Sequence, residues 1–148
     1  MPEQYTFQMG GHGLPGYPKP PLSMNDRMHW RVETDIKQAL RTQVVSHCQR
    51  ARIPKGARHV QVQLMYRPPT RNAPDPDNLA KTTKTIADAL QPTRPAYFDR
   101  KGKARPAVLG YGLIPNDDAK HCARPEAILL PSEGRNRTGW WVTLTVTR

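Results

Sequence analysis

A chain of 148 residues has room for one domain with a single core and little beyond it. It is 36% hydrophobic and 7% aromatic, lean but globular, and its 16 prolines signal long irregular connections, not a collagen-like or fully disordered chain. The formal charge of +11, with a pI near 10.2, favours a polyanionic partner, nucleic acid first, because neutralising phosphates releases counterions.

An anionic membrane surface is the weaker alternative, since no stretch reads as a basic amphipathic helix. No apolar run approaches the ~20 residues of a transmembrane helix, so no membrane partner is expected. Met1-Pro2-Glu3-Gln4-Tyr5 lacks a basic region followed by an apolar one, which predicts no signal peptide. Cys48 and Cys122 have no paired spacing and read as reduced thiols, so the expected location is cytoplasmic.

In chain order, Tyr5, Phe7 and Met9 alternate with polar residues as in a short strand. Residues 10–22 form a Gly/Pro-rich arm, as in Gly10-Gly11-His12-Gly13 and Pro18-Lys19-Pro20-Pro21, with no fold of its own. Ser23-Met24-Asn25-Asp26-Arg27 supplies turn and cap chemistry before a helix that starts at Met28 or Thr34 and ends at Cys48. Val32, Ile36, Leu40 and Val44 make its apolar stripe, and Trp30 is expected to pack along it. Arg50, Arg52, Lys55 and Arg58 form a basic exit, either solvated surface or a phosphate track.

His59 to Tyr66 is the clearest early strand, with Val60, Val62, Leu64 and Tyr66 on one face. A helix is predicted from Pro76 to Leu90, burying Leu79, Ile86 and Leu90. Residues 91–106 read as a basic loop carrying Arg94, Arg100, Lys101, Lys103 and Arg105, with Tyr97 and Phe98 as a small hydrophobic anchor or as base contacts. Ala107 to Ile114 is a strand weakened by Gly110 and Gly112. Ala127 to Leu130 is a short apolar run, and Trp140, Val142, Leu144 and Val146 alternate along a final strand. This irregular order of strands and helices predicts an α+β fold, one small domain with a mixed β-sheet packed by helices.

The chemistry concentrates at Asp75-Pro76-Asp77-Asn78-Leu79-Ala80-Lys81. In one reading Asp75 is a plain N-cap, Pro76 the first helical residue and Asp77 a favourable first-turn acid. In the other, Asp75 and Asp77 meet Asp117 and Asp118, which follow the predicted strand over 107–114, and the gathered carboxylates hold a hard divalent cation. Such a site suits phosphoryl chemistry, with Lys81 one turn away to stabilise transition-state charge.

These residues resemble the RusA-like Holliday junction resolvases, many of them carried by phages and prophages. The family's Asp-x-Asp-Asn-Leu-x-Lys motif reads here as Asp75 through Lys81, and its Asp-Ala-Leu segment as Asp88-Ala89-Leu90. Its second acidic motif matches Asp117-Asp118-Ala119, and its asparagine box matches Leu22 through Trp30. The resemblance implies a Mg²⁺-dependent endonuclease, with Mn²⁺ as the alternative ion, resolving four-way DNA junctions as a homodimer. It implies Asp75, Asp77 and Asp118 as catalytic metal ligands, Asp117 as a further ligand, and Lys81 at the scissile phosphate. If the protein is phage-encoded, its compartment would be the bacterial host cytoplasm. Candidate nucleic-acid contacts are Arg71, Lys84, Arg100, Lys101 and Lys103. The chain departs from the family in the long interval between Asp77 and Asp118, filled by the basic loop, and in carrying Pro74 where the family often has a basic residue.

Two rivals stand beside this expectation. A basic nucleic-acid-binding protein without catalysis accounts for the charge but leaves the acidic cluster as coincidence; a nuclease acting on flaps or RNA accounts for both. The pairs His47-Cys48 and His121-Cys122 lack zinc-ligand spacing and read as packed or surface residues.

Overall fold

The two strictly alternating stretches of the chain become the central strands of a mixed sheet, in a computed structural model that describes residues 2–148. The chain opens with β1 (Glu3–Gly11), α1 (Trp30–Arg50) and β2 (His59–Arg67). A 3-10 turn (Pro76–Leu79) leads directly into α2 (Ala80–Ala89). Short strands follow: β3 (Pro92–Arg94), β4 (Tyr97–Phe98), β5 (Ala104–Arg105), β6 (Val108–Tyr111), β7 (Cys122–Ala123) and β8 (Ile128–Leu129). After a further 3-10 turn (Arg135–Arg137) the chain closes on β9 (Gly139–Thr147).

β9 lies between β1 and β2 and is antiparallel to both, while the other edge of β2 takes β7 and β8 in parallel. Val60, Val62, Leu64 and Tyr66 stand opposite Val146, Leu144, Val142 and Trp140, and all eight are buried. Burying one such aliphatic side chain stabilises by about 1.5–3 kcal/mol, so this double row is a large apolar contribution to the fold. The opposite face stays polar and partly solvated, and there the Thr6 and Thr143 hydroxyls meet at 2.9 Å. The fold is α+β.

Both helices cover the apolar face. The His47 ring of α1 stacks on Phe7 of β1 at 5.0 Å, and Gln43 donates to the Met9 carbonyl. From α2, Ile86, Ala87 and Ala89 enter the same core. The arm over 10–22 is tied down by hydrogen bonds at Tyr17 and Leu22. Trp140 Nε1 donates to the Tyr17 carbonyl at 2.9 Å, and that close approach leaves no space for a Cβ at Gly10. Fully buried Leu22 donates its N–H to Thr82 Oγ1 at 3.1 Å and accepts from the same hydroxyl at 2.7 Å. The ends of the arm, Gly10 and Leu22, are therefore part of the buried interior.

Several expectations change. Helix α1 starts at Trp30 because the His29 ring accepts from Arg31 N–H at 3.2 Å, a cap the Ser23–Arg27 turn does not provide. Trp30 and Val32 do not pack: they are 64% and 49% exposed, because the core-facing stripe becomes buried only from Leu40 onward. The helix predicted from Pro76 is split, since the tighter 3-10 turn occupies its first four residues. Residues 91–106 are not an irregular loop. β3 pairs with β6, and β4 pairs with β5 as a hairpin. Tyr97 and Phe98 anchor nothing within the chain, being 48% and 77% exposed. Among the described residues no helix is long and apolar enough to cross a membrane.

Candidate active site

The start of α2 faces the segment that joins β7 to β8. Parallel pairing of β7 and β8 along β2 holds that segment in place, and Gln63 Nε2 of β2 donates to the Glu126 carbonyl at 2.8 Å. Between the two lies a cleft of about 650 Å³ whose charged lining is Asp77, Lys81, Lys84, Arg124 and Glu126. Pro76, Ala80 and Met24 supply apolar wall. Clustered acids and bases lining one cleft mark it as a candidate functional site.

Asp77 and Glu126 line the cleft together, and the neighbouring Asp77 carboxylate holds the Glu126 carboxyl above its ordinary value. Two carboxylates this close relieve their repulsion by sharing a proton or taking a cation. Lys81, one helical turn beyond Asp77, forms an ion pair with Glu33 of α1, and Lys37 approaches the same carboxylate at 3.8 Å. Lys84 donates to Asp88 at 2.7 Å and also to Asp117. Partial burial pulls the Lys84 ammonium down, but the bonds to Asp117 and Asp88 outweigh it and its pKa is raised. Asp117 is lowered, chiefly by its hydrogen bond from Lys84, which outweighs the opposing effect of partial burial.

Asp75 occupies the cap position of the 3-10 turn, but its side chain makes no capping hydrogen bond. The capping role that sequence offers for this carboxylate is therefore not taken up. Asp118 is engaged away from α2. Its Oδ1 accepts from the His121 N–H at 3.1 Å and meets His121 Nδ1 at 2.6 Å, and this partner lowers its pKa. Of the Asp-Asp pair, it is Asp117 that reaches α2, through Lys84.

No protein-family model matches the chain, and no curated protein matches it. The site therefore stands on its own residues. Among the described residues no three His, Cys, Asp or Glu side chains gather as a ligand set, so the structure does not bring Asp75, Asp77, Asp117 and Asp118 to one point. Mg²⁺ does not require such a cage, because it keeps several waters and binds through one or two carboxylates plus phosphate oxygens. Asp77 with Glu126 meets that requirement in donor type and number.

The basic candidates divide. Arg71, Arg100, Lys101 and Lys103 are exposed, Arg71 in the connection after β2 and the other three at the β4–β5 turn. Lys84 is instead bracketed by two carboxylates. Sequence reading missed Glu33, Arg124 and Glu126. Each lies far along the chain from Asp77, and only the parallel pairing of β7 and β8, or the packing of α1 on α2, makes them neighbours.

Proposed function

We propose that this protein is a divalent-metal-dependent endonuclease that cuts branched DNA, four-way junctions above all, as a homodimer. The observation that carries the reading is the single cleft in which a carboxylate pair, Asp77 and Glu126, faces Lys81 and Lys84 in a chain of formal charge +11. The Asp75 to Lys81 motif, resembling that of the RusA-like resolvases, supports the junction as substrate. Asp77 and Glu126 would hold the ion, which when bound supplies Lewis-acid polarisation of a phosphodiester and an activated water.

The chain's own groups do the rest. An arriving phosphate competes with Glu33 for Lys81, whose ammonium then offsets charge that builds up at phosphorus in the transition state. The Lys84 ammonium is fixed in the cleft wall by Asp88 and Asp117, whose hydrogen bonds raise its pKa further. Met24 and Pro76 narrow the cleft on its apolar side. Two symmetric nicks need two active sites, which a two-fold dimer provides.

A non-catalytic nucleic-acid-binding protein is the second reading, favoured by the failure of the four aspartates to converge. Substitution at the carboxylates separates the two. Asp77→Asn should abolish Mg²⁺-dependent nicking while junction binding in EDTA stays within about twofold of wild type. Wild-type protein that binds junctions but shows no metal-dependent nicking would establish the binder instead. Nicking confined to flaps or to RNA would keep the enzyme and replace its substrate.

A further inference from the structure

The β4–β5 hairpin is an unusual thing to leave in solvent. Residues 94 to 105 carry five basic side chains (Arg94, Arg100, Lys101, Lys103 and Arg105) against the single acid Asp99. That acid is used internally. Its Oδ1 accepts from the N–H groups of Lys101 and Lys103 at 2.9 Å each, and its Oδ2 accepts from Arg105 Nε at 3.1 Å. Gly102, left-handed at φ 75°, donates back to the Asp99 carbonyl at 2.9 Å and closes the turn. The tip is thus fixed in shape before any partner arrives, which lowers the entropy lost on binding. Phe98 sits immediately before the turn and is 77% exposed.

A basic path joins this hairpin to the cleft. Glu33, Lys37 and Arg41 follow one another at four-residue spacing, one stripe of α1 about 12 Å long. The stripe begins at Glu33, bound to Lys81 of the cleft. It ends where Lys37 and Arg41 line a groove of about 390 Å³ with Pro106, Ala107, Val108 and Leu109, the residues that leave β5. Arg41 Nε is buried beside the groove without a hydrogen-bond partner among the described residues.

We propose that the hairpin is a nucleic-acid finger: Phe98 stacks on an unstacked base at a branch point, while Arg100, Lys101 and Lys103 hold the flanking phosphates. The stripe through Lys37 and Arg41 carries the strand between the finger and the cleft. The proposal rests on the nucleic-acid reading above and adds what selects branched over linear DNA. Every base offers a π face to an exposed aromatic ring, and fully paired linear duplex keeps those faces covered. An anionic membrane fits less well, because interfacial anchoring needs an apolar face, and the tip offers one strongly projecting apolar side chain among cations.

The test uses the full chain in EDTA, so that no cleavage intervenes, with a four-way junction carrying 2-aminopurine beside the branch point and a linear duplex of the same length. Phe98→Ala should weaken junction binding at least about fivefold, leave linear-duplex binding unchanged and abolish the protein-induced change in 2-aminopurine fluorescence. Phe98→Trp should restore both junction binding and the fluorescence change. Because Phe98 makes little burial in the fold, its unfolding midpoint should match wild type, which separates loss of stacking from loss of structure. Equal affinity of wild type and Phe98→Ala for the junction, or an equal drop on junction and duplex, would overturn the proposal. So would Phe98-dependent binding to phosphatidylserine vesicles without Phe98-dependent junction binding. Phe98-dependent junction binding without any nicking in Mg²⁺ would keep the finger and remove the nuclease; nicking with no Phe98 dependence would do the reverse.

Discussion

At Asp99 one carboxylate organises a whole turn, and its protonation state is therefore visible in its neighbours. The N–H groups of Lys103 and Lys101, then Arg105, hold its pKa below the usual 3.8. A group lowered on folding stabilises the turn above its unfolded value, and that contribution is lost as pH falls through the folded value. The amide resonances of Lys101 and Lys103 should therefore titrate together with a midpoint below 3.8. Independent midpoints, or one at or above the ordinary value, would contradict the turn geometry. Burial acts the other way on sulfur, pushing the Cys48 thiol up to about 12 and raising Cys122 as well. Native protein at pH 8 should react slowly with a disulfide reagent such as DTNB, and denatured protein should expose two thiols at once. Residue-scale legibility follows chain distance. The spacing of Asp77 and Lys81 was readable because both lie on one short helical stretch. Glu126 was not, because its place beside Asp77 depends on strand pairing far along the chain.

At the scale of elements, the hold of α2 on the arm is the most exposed to test. Thr82 is fully buried in a helix where an aliphatic residue would pack equally well, and it is kept polar by both backbone groups of Leu22. Thr82→Val preserves shape but leaves that N–H and carbonyl unsatisfied, so unfolding stability should fall by about 1–3 kcal/mol in urea titration. A loss below about 0.5 kcal/mol would show that water replaces the hydroxyl at little cost. The long strands were legible because a period of two survives any context, and β2 and β9 run as their alternation predicts. The first turn of α1 and the 91–106 segment were not. Exposure of Trp30 and Val32 depends on where the core-facing stretch of α1 begins, and the hairpin is stabilised by Asp99 rather than by apolar alternation. Its function can be read by salt. Arg100→Ala with Lys101→Ala should lower the slope of log affinity against log salt by about 2 for DNA binding, with no change in unfolding midpoint.

For the whole molecule, an excess of positive charge is arranged around one acidic pair. The sheet supplies a rigid base, the 3-10 turn carries Asp77, and α2 carries Lys81 and Lys84 on the cleft side. The segment between β7 and β8 adds Arg124 and Glu126. α1 links that cleft to a preformed basic hairpin. A carboxylate pair suits metal-assisted cleavage, whereas a protein that only coats DNA gains nothing from one. The most direct measurement is strand nicking of a labelled synthetic four-way junction beside a linear duplex of equal length, with Mg²⁺ and with EDTA. The account predicts Mg²⁺-dependent nicks in two opposed strands of the junction, little cutting of the duplex and none in EDTA. Equal cutting of both substrates, or no cutting with any divalent metal, would contradict it.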